Sequence, residues 1–430
     1  MKLVGTRSSA DRSTFLAAAA GSTPEHGGLF VPVLWPRFAD VDALLAVPWR
    51  ERCAEVLARL EGDELPRTEL ACIVDEAFDF PVPLVALADD TFALELTHGP
   101  TLAFKDFGAR FLAAVLERVP ARGPRTILTA TSGDTGAAVA SAFHGRAGVR
   151  VVVLYPLGRV SPLQERQLAC LGGNVTAVAV AGAFDDCQAL VKRAFAEPEL
   201  VARHGLASAN SINLARVFAQ VLYYLEALAA LRARGVHAAP VIAVPSGNFG
   251  NLCAGLYARE LGFDVRAFVA ATNANDVVPR YLTSGRYEPR PTVATLSNAM
   301  DVGAPSNWER IERLFDGDRA HLARVVRAES TTDEETEEEL VRLARAGYRA
   351  CPHTAVAHRV LRMRLEPGET GVSLATAHPA KFGAVIDAPL ARAGFAPSPL
   401  PDALARLLQE RVQRVEIGND LDALRKILAS

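Results

Sequence analysis

The chain has little lysine. Only five of its 46 basic residues are lysines, and the other 41 are arginines. Chemistry that needs an amine nucleophile therefore has few candidates, because a guanidinium group stays protonated. The five lysines are Lys2, Lys105, Lys192, Lys381 and Lys426. Of these, Lys105 alone lies between a Gly-Pro turn and an apolar, helix-like run.

Cysteine pairs, basic blocks and long apolar runs are also missing. The six cysteines form no C-x-x-C pair, so a structural zinc site and a disulfide framework both lack support. A net charge of −3 without a basic cluster argues against a nucleic-acid partner. The apolar stretch at 15–20 is too short for a signal peptide, and no run approaches the length of a membrane span. We expect a cytoplasmic protein with reduced thiols, no metal and no membrane partner.

Strand-like and helix-like patterns alternate from about residue 81. Five strand candidates lie at 125–131, 149–155, 174–180, 241–244 and 265–271. A helical pattern follows each of the first four, and no helix is predicted after the fifth. The predicted helices cover 134–144, 162–171, 184–196, 213–234 and 250–261, and earlier ones cover 37–61 and 65–78. This alternation predicts an α/β fold with parallel sheets, whose ligand sites lie in loops after the strands.

Two glycine-rich loops stand where a predicted strand ends and a helix begins. They are Thr131-Ser-Gly-Asp-Thr-Gly136 and Pro245-Ser-Gly-Asn-Phe-Gly-Asn251. Glycine lets a ligand approach the backbone closely, and the free N–H groups of a helix start bind anions. Neither loop matches a Walker A or a G-x-G-x-x-G motif. Each loop taken alone is equally explained as a plain turn.

An amine, two anion-binding loops and an α/β core together suit pyridoxal 5′-phosphate. This cofactor needs a lysine for a Schiff base, a phosphate cradle and a partner for its ring nitrogen. Burial disfavours the ammonium form, so an apolar setting can leave Lys105 neutral enough for this role. The alternative for Lys105 alone is a cation that reaches water from a helix start.

Several segments resemble those of the threonine synthase family. They are 97–106 (Thr-His-Gly-Pro-Thr-Leu-Ala-Phe-Lys-Asp), 130–136, 160–164, 246–251, 299–310 (Ala-Met-Asp-Val-Gly-Ala-Pro-Ser-Asn-Trp-Glu-Arg) and 375–382. The resemblance runs from the Gly-Gly-Leu-Phe-Val-Pro segment at 27–32 to about residue 385. It implies the tryptophan synthase β-subunit fold: two doubly wound parallel-sheet subdomains with the cofactor in the cleft between them, plus a small N-terminal domain. We expect domains at 1–80, 81–400 and 401–430, the last as capping helices.

The resemblance also implies residue roles toward the cofactor. Lys105 would carry it as a Schiff base, and Thr376 would face its pyridine nitrogen. The residues expected to cradle its phosphate are Gly247, Asn248, Phe249 and Asn251. A buried capping threonine is the alternative for Thr376.

The expected substrate is O-phospho-L-homoserine, a small molecule, which reacts with water to give L-threonine and phosphate. Its carboxylate is expected on Ser132, Gly133, Asp134 and Thr135. Its phosphate is expected on Ser211, Asn213 and Arg216, because arginine can hold phosphate through two hydrogen bonds. The alternative has Asn213 as a helix cap and Arg216 as a surface charge. We expect a monomer or homodimer.

Two rival functions stay open. One is another enzyme of the same fold, such as a serine/threonine dehydratase or a cysteine synthase, without a substrate-phosphate site. The other is a catalytically silent cofactor-binding relative, against which the intact Lys105 argues.

Some conspicuous residues are predicted to be structural. His98, His353 and His378 have no metal-ligand spacing. The acidic run at 333–339 fits a helix start, because Thr332 and Glu335 form a capping-box pattern.

Overall fold

The computed structural model describes the whole chain except residues 22, 89, 120–122 and 124. Its strands are β1 (Leu3–Gly5), β2 (Arg12–Ser13), β3 (Phe30–Pro32), β4 (Leu84–Ala86), β5 (Thr91–Glu95), β6 (Arg125–Ala130), β7 (Val149–Pro156), β8 (Val175–Val180), β9 (Leu206–Ala207), β10 (Val241–Pro245), β11 (Ala267–Thr272), β12 (Val326–Ser330), β13 (Gly371–Ala375) and β14 (Val415–Ile417).

The helices are α1 (Phe15–Gly21), α2 (Val41–Ala46), α3 (Trp49–Glu61), α4 (Arg67–Ala77), α5 (Lys105–Arg118), α6 (Asp134–Phe143), α7 (Pro162–Ala169), α8 (Phe184–Phe195), α9 (Pro198–His204), α10 (Leu214–Arg232), α11 (Gly250–Glu260), α12 (Val277–Ser284), α13 (Trp308–Leu314), α14 (Arg319–Val325), α15 (Asp333–Arg345), α16 (Pro352–Arg364), α17 (Gly383–Arg392), α18 (Asp402–Leu407) and α19 (Leu421–Ala429). Short 3₁₀ helices span Asn298–Met300 and Pro379–Phe382.

Two parallel sheets form the body of the molecule. The larger has the order β12-β11-β10-β13-β5-β4, in which only β4 runs antiparallel to its neighbour. The other has the order β14-β8-β7-β6-β9 and is parallel throughout. Their central strands are buried along their length, as parallel strands covered on both faces must be. The predicted α/β class is confirmed.

The first residues form a small antiparallel sheet of their own, with the order β2-β1-β3. Helix α1 fixes this region to the body, because the Phe15 ring stacks on Phe218 of α10 at 5.6 Å and lies 6.3 Å from Phe111 of α5. The helix predicted over 37–61 is two helices, α2 and α3, divided at Pro48. A residue before proline is disfavoured in the helical conformation, so Val47 is extended.

Helix α10 is the central core helix. By length and composition it is the one helix in the described part of the chain that could cross a membrane, yet 83% of its apolar window is buried inside the protein. It packs against α5 and α11, which carry the two segments most relevant to function. Its apolar character is therefore used in the core.

The acidic run begins a helix, as predicted. The Thr332 hydroxyl accepts from the N–H of Glu335 at 3.2 Å, and the Glu335 carboxylate accepts from the N–H of Thr332 at 2.9 Å. This capping box satisfies two N–H groups at the start of α15.

The last thirty residues contain a strand that the sequence did not predict. Beside the helices α18 and α19, β14 pairs in parallel with β8 and forms one edge of the five-stranded sheet. This strand has three residues with largely exposed side chains, so its sequence shows no alternation of apolar and polar residues. Only its backbone pairing with β8 defines it as a strand.

Candidate active site

Lys105 is the first residue of α5, and the turn before it is fixed by a buried carboxylate. Asp106 accepts from the N–H of Thr101 at 2.9 Å and from the Thr101 hydroxyl at 2.7 Å. A side chain on Gly99 would come within 2.5 Å of the same carboxylate, so glycine is needed there. Burial raises the pKa of Asp106 to about 6, against the two hydrogen bonds from Thr101.

The amine of Lys105 is easily deprotonated. Burial lowers its pKa to about 8, and the charges of Arg216 and Lys381 act in the same direction while Asp134 opposes them. A lysine with this pKa is partly neutral near physiological pH, and the neutral amine is the form that attacks a carbonyl or accepts a proton. This suits a nucleophile better than a cation that reaches water.

The loop between β6 and α6 is shaped by one threonine and one glycine. The Thr131 hydroxyl accepts from the N–H groups of Gly133 at 2.9 Å and Gly136 at 2.8 Å. Gly133 has a φ of 137°, and a Cβ there would lie 2.5 Å from the Gln164 side chain. The loop therefore turns tightly into α6.

Asp134 opens α6 and belongs to a buried polar cluster. Its Oδ1 lies 2.7 Å from Nζ of Lys381 and accepts from Nε2 of Gln164 at 3.0 Å. Lys381 also donates to the backbone carbonyl of Thr101 at 2.8 Å. Burial alone would raise the pKa of Asp134, but the charges of Lys381 and Lys105 hold it well below its usual range.

The loop between β10 and α11 packs tightly against the backbone at Met300. A Cβ on Gly247 would lie 2.7 Å from Cα of Met300, so no side chain fits. Phe249 precedes α11 with a φ of 58° in the left-handed region. Asn248 donates to the Ser211 hydroxyl at 2.9 Å, and its carbonyl accepts from the side chain of Asn307 at 3.1 Å.

Asn251 is held so that its amide nitrogen is free. Its Oδ1 accepts from the hydroxyls of Tyr223 at 2.6 Å and Tyr224 at 2.7 Å. Burial raises the pKa of both tyrosines well above the usual value, so both stay protonated donors. Nδ2 of Asn251 is buried and has no hydrogen-bond partner among the described residues.

Arg216 and Asn213 differ in what they offer a ligand. Arg216 is 2% exposed, so it is not a surface charge. Its Nη1 donates to the carbonyl of Ala209 at 2.6 Å, and its Nε has no partner in the described part of the chain. Asn213 caps α10, with Oδ1 accepting from the N–H of Ala215 at 3.1 Å and Nδ2 donating to the carbonyl of Ala19 at 2.8 Å.

Thr376 and His353 complete the wall around Lys105. Thr376 follows β13 and is 5% exposed, and its carbonyl accepts from the N–H of Phe104 at 2.9 Å. Nε2 of His353 accepts from the N–H of Ala299 at 3.2 Å. Burial lowers the pKa of His353 to about 4, so its ring is neutral.

One cavity of about 120 Å³ collects most of the predicted site. The predicted residues that line it are Lys105, Ser132, Asp134, Thr135, Ser211, Arg216, Gly247, Asn248, Phe249, Asn251 and Thr376. Gly133 and Asn213 are the two predicted residues outside this lining: Gly133 shapes the loop and Asn213 caps α10.

The residues present fit pyridoxal phosphate. An amine that can be neutral faces the cavity, and the Gly247 loop offers backbone without side-chain obstruction. Two buried donors, Nδ2 of Asn251 and Nε of Arg216, lack partners within the described residues. Buried polar atoms are normally satisfied, so unpaired donors on residues that line a cavity indicate a ligand that accepts hydrogen bonds.

Three family models match the chain. A model of pyridoxal-phosphate dependent enzymes matches residues 82–376. A model of the threonine synthase N terminus matches 2–78, and a model of the threonine synthase C-terminal region matches 354–428. Among curated proteins, the threonine synthase of Serratia marcescens is 50% identical over 94% of each chain.

The chain belongs to the threonine synthase family.

Solved structures agree. The threonine synthase of Escherichia coli superposes with a TM-score of 0.94 at 46% identity, covering 100% of this chain and 99% of that one. A threonine synthase from Brucella melitensis described as bound to pyridoxal phosphate gives 0.92 at 35% identity, covering 100% and 98%. The predicted activity of threonine synthase and its pyridoxal-phosphate cofactor are therefore confirmed.

Two residues at this site carry no functional prediction from the sequence. His353, which is predicted to be structural, lines the cavity. Lys381 pairs with Asp134. By contrast, His98 pairs with Glu95 outside the cavity lining, and His378 caps the 3₁₀ helix at 379–382. Scarcity of lysine was the available signal for Lys381, because a second lysine in an apolar segment needs a partner.

Proposed function

We propose that the chain converts O-phospho-L-homoserine and water to L-threonine and phosphate, with Lys105 as the catalytic residue. The observation that carries this is the placement of one partly neutral lysine in a cavity reached by two glycine-rich helix starts. The substrate carries a carboxylate and a phosphate, and the cofactor carries a phosphate of its own. A site that holds both molecules therefore needs several anion-binding groups around the lysine.

The loop before α11 is proposed to cradle the cofactor phosphate. Its groups are uncharged: the N–H groups at the start of α11, and the free amide nitrogen of Asn251. The helix dipole adds partial positive charge at this end. Gly247 keeps the loop against Met300, and Asn248 ties it to Ser211, so the proposed cradle is preformed.

Thr376 is proposed to face the pyridine nitrogen. A neutral hydroxyl cannot hold that nitrogen protonated as a carboxylate would. When bound, pyridoxal phosphate supplies an electron sink for negative charge that develops at the substrate carbons. With a threonine at this position, we expect stabilisation of that charge to depend more on Lys105 and the surrounding dipoles than on the ring nitrogen.

The loop before α6 is proposed to bind the substrate carboxylate. Ser132 and Thr135 bring hydroxyls to the cavity, and Asp134 brings the first N–H of α6. Gly133 permits the turn, with its φ of 137°.

Ser211 and Arg216 are proposed to bind the substrate phosphate. The free Nε of Arg216 is a buried charged donor, the kind of group that binds phosphate most strongly. Asn213 is proposed to act indirectly, since its cap fixes the start of α10, from which Arg216 projects.

Lys105 would hold the cofactor, and with its amine free it is proposed to move protons at the α and β carbons of the substrate. Its lowered pKa allows it to accept and return a proton near neutral pH. Over the reaction the bond from the γ carbon to the phosphate-ester oxygen breaks, and the γ carbon gains a proton to become the methyl group of threonine. The β carbon gives up one proton and takes the hydroxyl group of water, and the remaining proton of that water leaves with phosphate.

The domain limits of 1–80, 81–400 and 401–430 are proposed as functional units, supported by family-model matches that change near residue 80.

A cytoplasmic location is proposed because all six cysteines are free thiols. A monomer or homodimer is proposed as the working assembly.

The test is conversion of O-phospho-L-homoserine by the purified holoenzyme, with phosphate and threonine followed together. Lys105→Ala should lower threonine formation by at least about a thousandfold, because both the attachment point and the proton carrier are lost. Lys192→Ala, an exposed lysine on α8, is the matched control and should retain full activity. A yellow protein that loses its colour with borohydride reports the attachment independently of turnover.

Phosphate released with 2-oxobutyrate in place of threonine would contradict the proposed function, and the absence of phosphate release would favour a dehydratase or cysteine synthase of the same fold. Threonine formation that survives in Lys105→Ala would contradict the proposed role of the lysine.

A further inference from the structure

Lys381 is a second lysine at the site, and the roles proposed above do not use it. Its side chain is fully shielded from solvent. It lies in the 3₁₀ helix after β13, whereas its partner Asp134 follows β6, so the 2.7 Å ion pair links the two parallel sheets. Gln164 at the start of α7 donates to the same carboxylate oxygen.

The ion pair solves an electrostatic problem. Asp134 lies within the loop that is proposed to receive a carboxylate, and it lines the cavity. Like charges at short range inside a protein repel strongly, because little water screens them. An unpaired Asp134 would therefore oppose the substrate that its own backbone N–H is meant to bind.

We propose that Lys381 is a positioning residue: its ammonium group neutralises Asp134 from behind the loop, so that residues 132–135 present donors to the substrate carboxylate. The inference rests on the proposed function, since it concerns the same loop and the same substrate.

Two observations support neutralisation over simple filling of space. Lys381 donates a second hydrogen bond to the backbone carbonyl of Thr101, and the same carbonyl accepts from Nε2 of Gln167 at 3.0 Å. The ammonium is thus held in place from the Lys105 turn while it faces Asp134. A buried charge is tolerated only with such pairing, so both partners are needed together.

The same cluster acts on Lys105. The charged and titratable groups around that lysine are Asp134, Arg216, Lys381, His353 and the neighbouring Asp106. Loss of the Lys381 charge removes one repulsion and leaves Asp134 unopposed. Both changes favour the protonated form of Lys105, so its pKa should rise.

The experiment compares Lys381→Met with the wild-type holoenzyme and with Lys192→Met, a matched substitution of an exposed lysine. Binding of L-threonine is measured from the visible absorbance of the cofactor, and KM from phosphate release. In Lys381→Met we expect both the dissociation constant and KM to rise about tenfold, with bound cofactor unchanged. The acidic limb of kcat against pH should move up by roughly one unit.

The double variant Asp134→Asn/Lys381→Met separates charge from packing. If Lys381 acts by neutralising Asp134, removing both charges should restore most of the threonine affinity lost in Lys381→Met, to within about threefold of wild type. If the double variant binds threonine no better than the single one, or if Lys381→Met binds it as wild type does, the inference is overturned. A merely structural lysine would lower kcat at every pH without moving the limb.

Should Lys381→Met fail to fold, Lys381→Gln takes its place. Glutamine removes the charge and keeps an N–H donor on a shorter side chain, so the same loss of affinity is expected; wild-type affinity in this variant would overturn the inference. The wild-type control distinguishes the two proposals. A wild type that forms no threonine refutes the proposed function, whereas an active wild type with an unaltered Lys381→Met refutes only the role of Lys381.

Discussion

The two loops that face each other across the cavity have the same local design and different electrostatics. Each follows a buried strand, contains glycine and opens a helix. The loop before α11 presents uncharged donors with a free asparagine amide. The loop before α6 contains a carboxylate, which a lysine from the other sheet must balance.

We propose that this difference adapts one backbone motif to the two anions assigned to the loops above. For a permanently bound phosphate, uncharged donors and a helix dipole suffice and need no counter-charge of their own. For a carboxylate that binds and leaves, a balanced ion pair behind the loop provides fixed dipoles with little net charge. Each loop should therefore fail in its own way when it is perturbed.

The largest effect is expected for Gly247→Ala. The new Cβ would lie 2.7 Å from Cα of Met300, which is backbone and cannot rotate away. The loop must shift, at a cost of about 1–3 kcal/mol, and affinity for pyridoxal phosphate should fall by roughly ten- to a hundredfold. Titration of apoenzyme with cofactor measures this. Gly418→Ala, with nothing near its Cβ position, is the control; equal affinities for the two variants would refute the close-packed cradle.

An intermediate effect is expected for Gly133→Ala, and it should fall on substrate binding and not on cofactor binding. A φ of 137° and the buried Gln164 side chain 2.5 Å away both oppose a Cβ. KM for O-phospho-L-homoserine should rise about tenfold while affinity for pyridoxal phosphate changes by less than about threefold. Steady-state kinetics and cofactor titration on one preparation decide the matter. Loss of cofactor with an unchanged KM would mean that the two loops had been assigned the wrong ligands.

The smallest effect is expected for Tyr223→Phe. It removes one of two hydroxyls that hold Oδ1 of Asn251, and Tyr224 remains. Affinity for pyridoxal phosphate should fall about threefold, the value of a single replaceable hydrogen bond. Tyr281→Phe on α12, outside the cavity lining, should bind cofactor as wild type does. A tenfold or greater loss in Tyr223→Phe would show that Tyr224 alone cannot orient the amide.

Features that depend on neighbours in the chain were predictable from the sequence. Thr332 caps α15 through a residue three positions on, and the alternative for Asn213 as a helix cap was visible for the same reason. The strands β6, β7, β8, β10 and β11 were each found within about two residues of their bounds. Short-range patterns carry this information because hydrophobic periodicity and capping are both local.

Features that depend on contacts between distant parts of the chain were not predictable from the sequence. The ion pair between Asp134 and Lys381 needs two sheets to meet, and no spacing between them reveals that contact. Burial of Arg216 likewise follows from the packing of α10 into the core, although an arginine near a helix start reads equally well as a surface charge. The substrate side of the cavity is therefore where sequence patterns decide least.

The edge strand β14 has a consequence for limited proteolysis. It pairs with β8, and the helix after it, α19, places Leu424 against α8, the helix that brings Phe184 and Gln188 to the cavity. A protease that cuts between α18 and β14 would leave every proposed site residue on the larger fragment, yet it would separate that fragment from the partner strand of β8 and from the helix that covers α8. Activity lost after such a cut would therefore report lost support for a cavity wall and not lost chemistry.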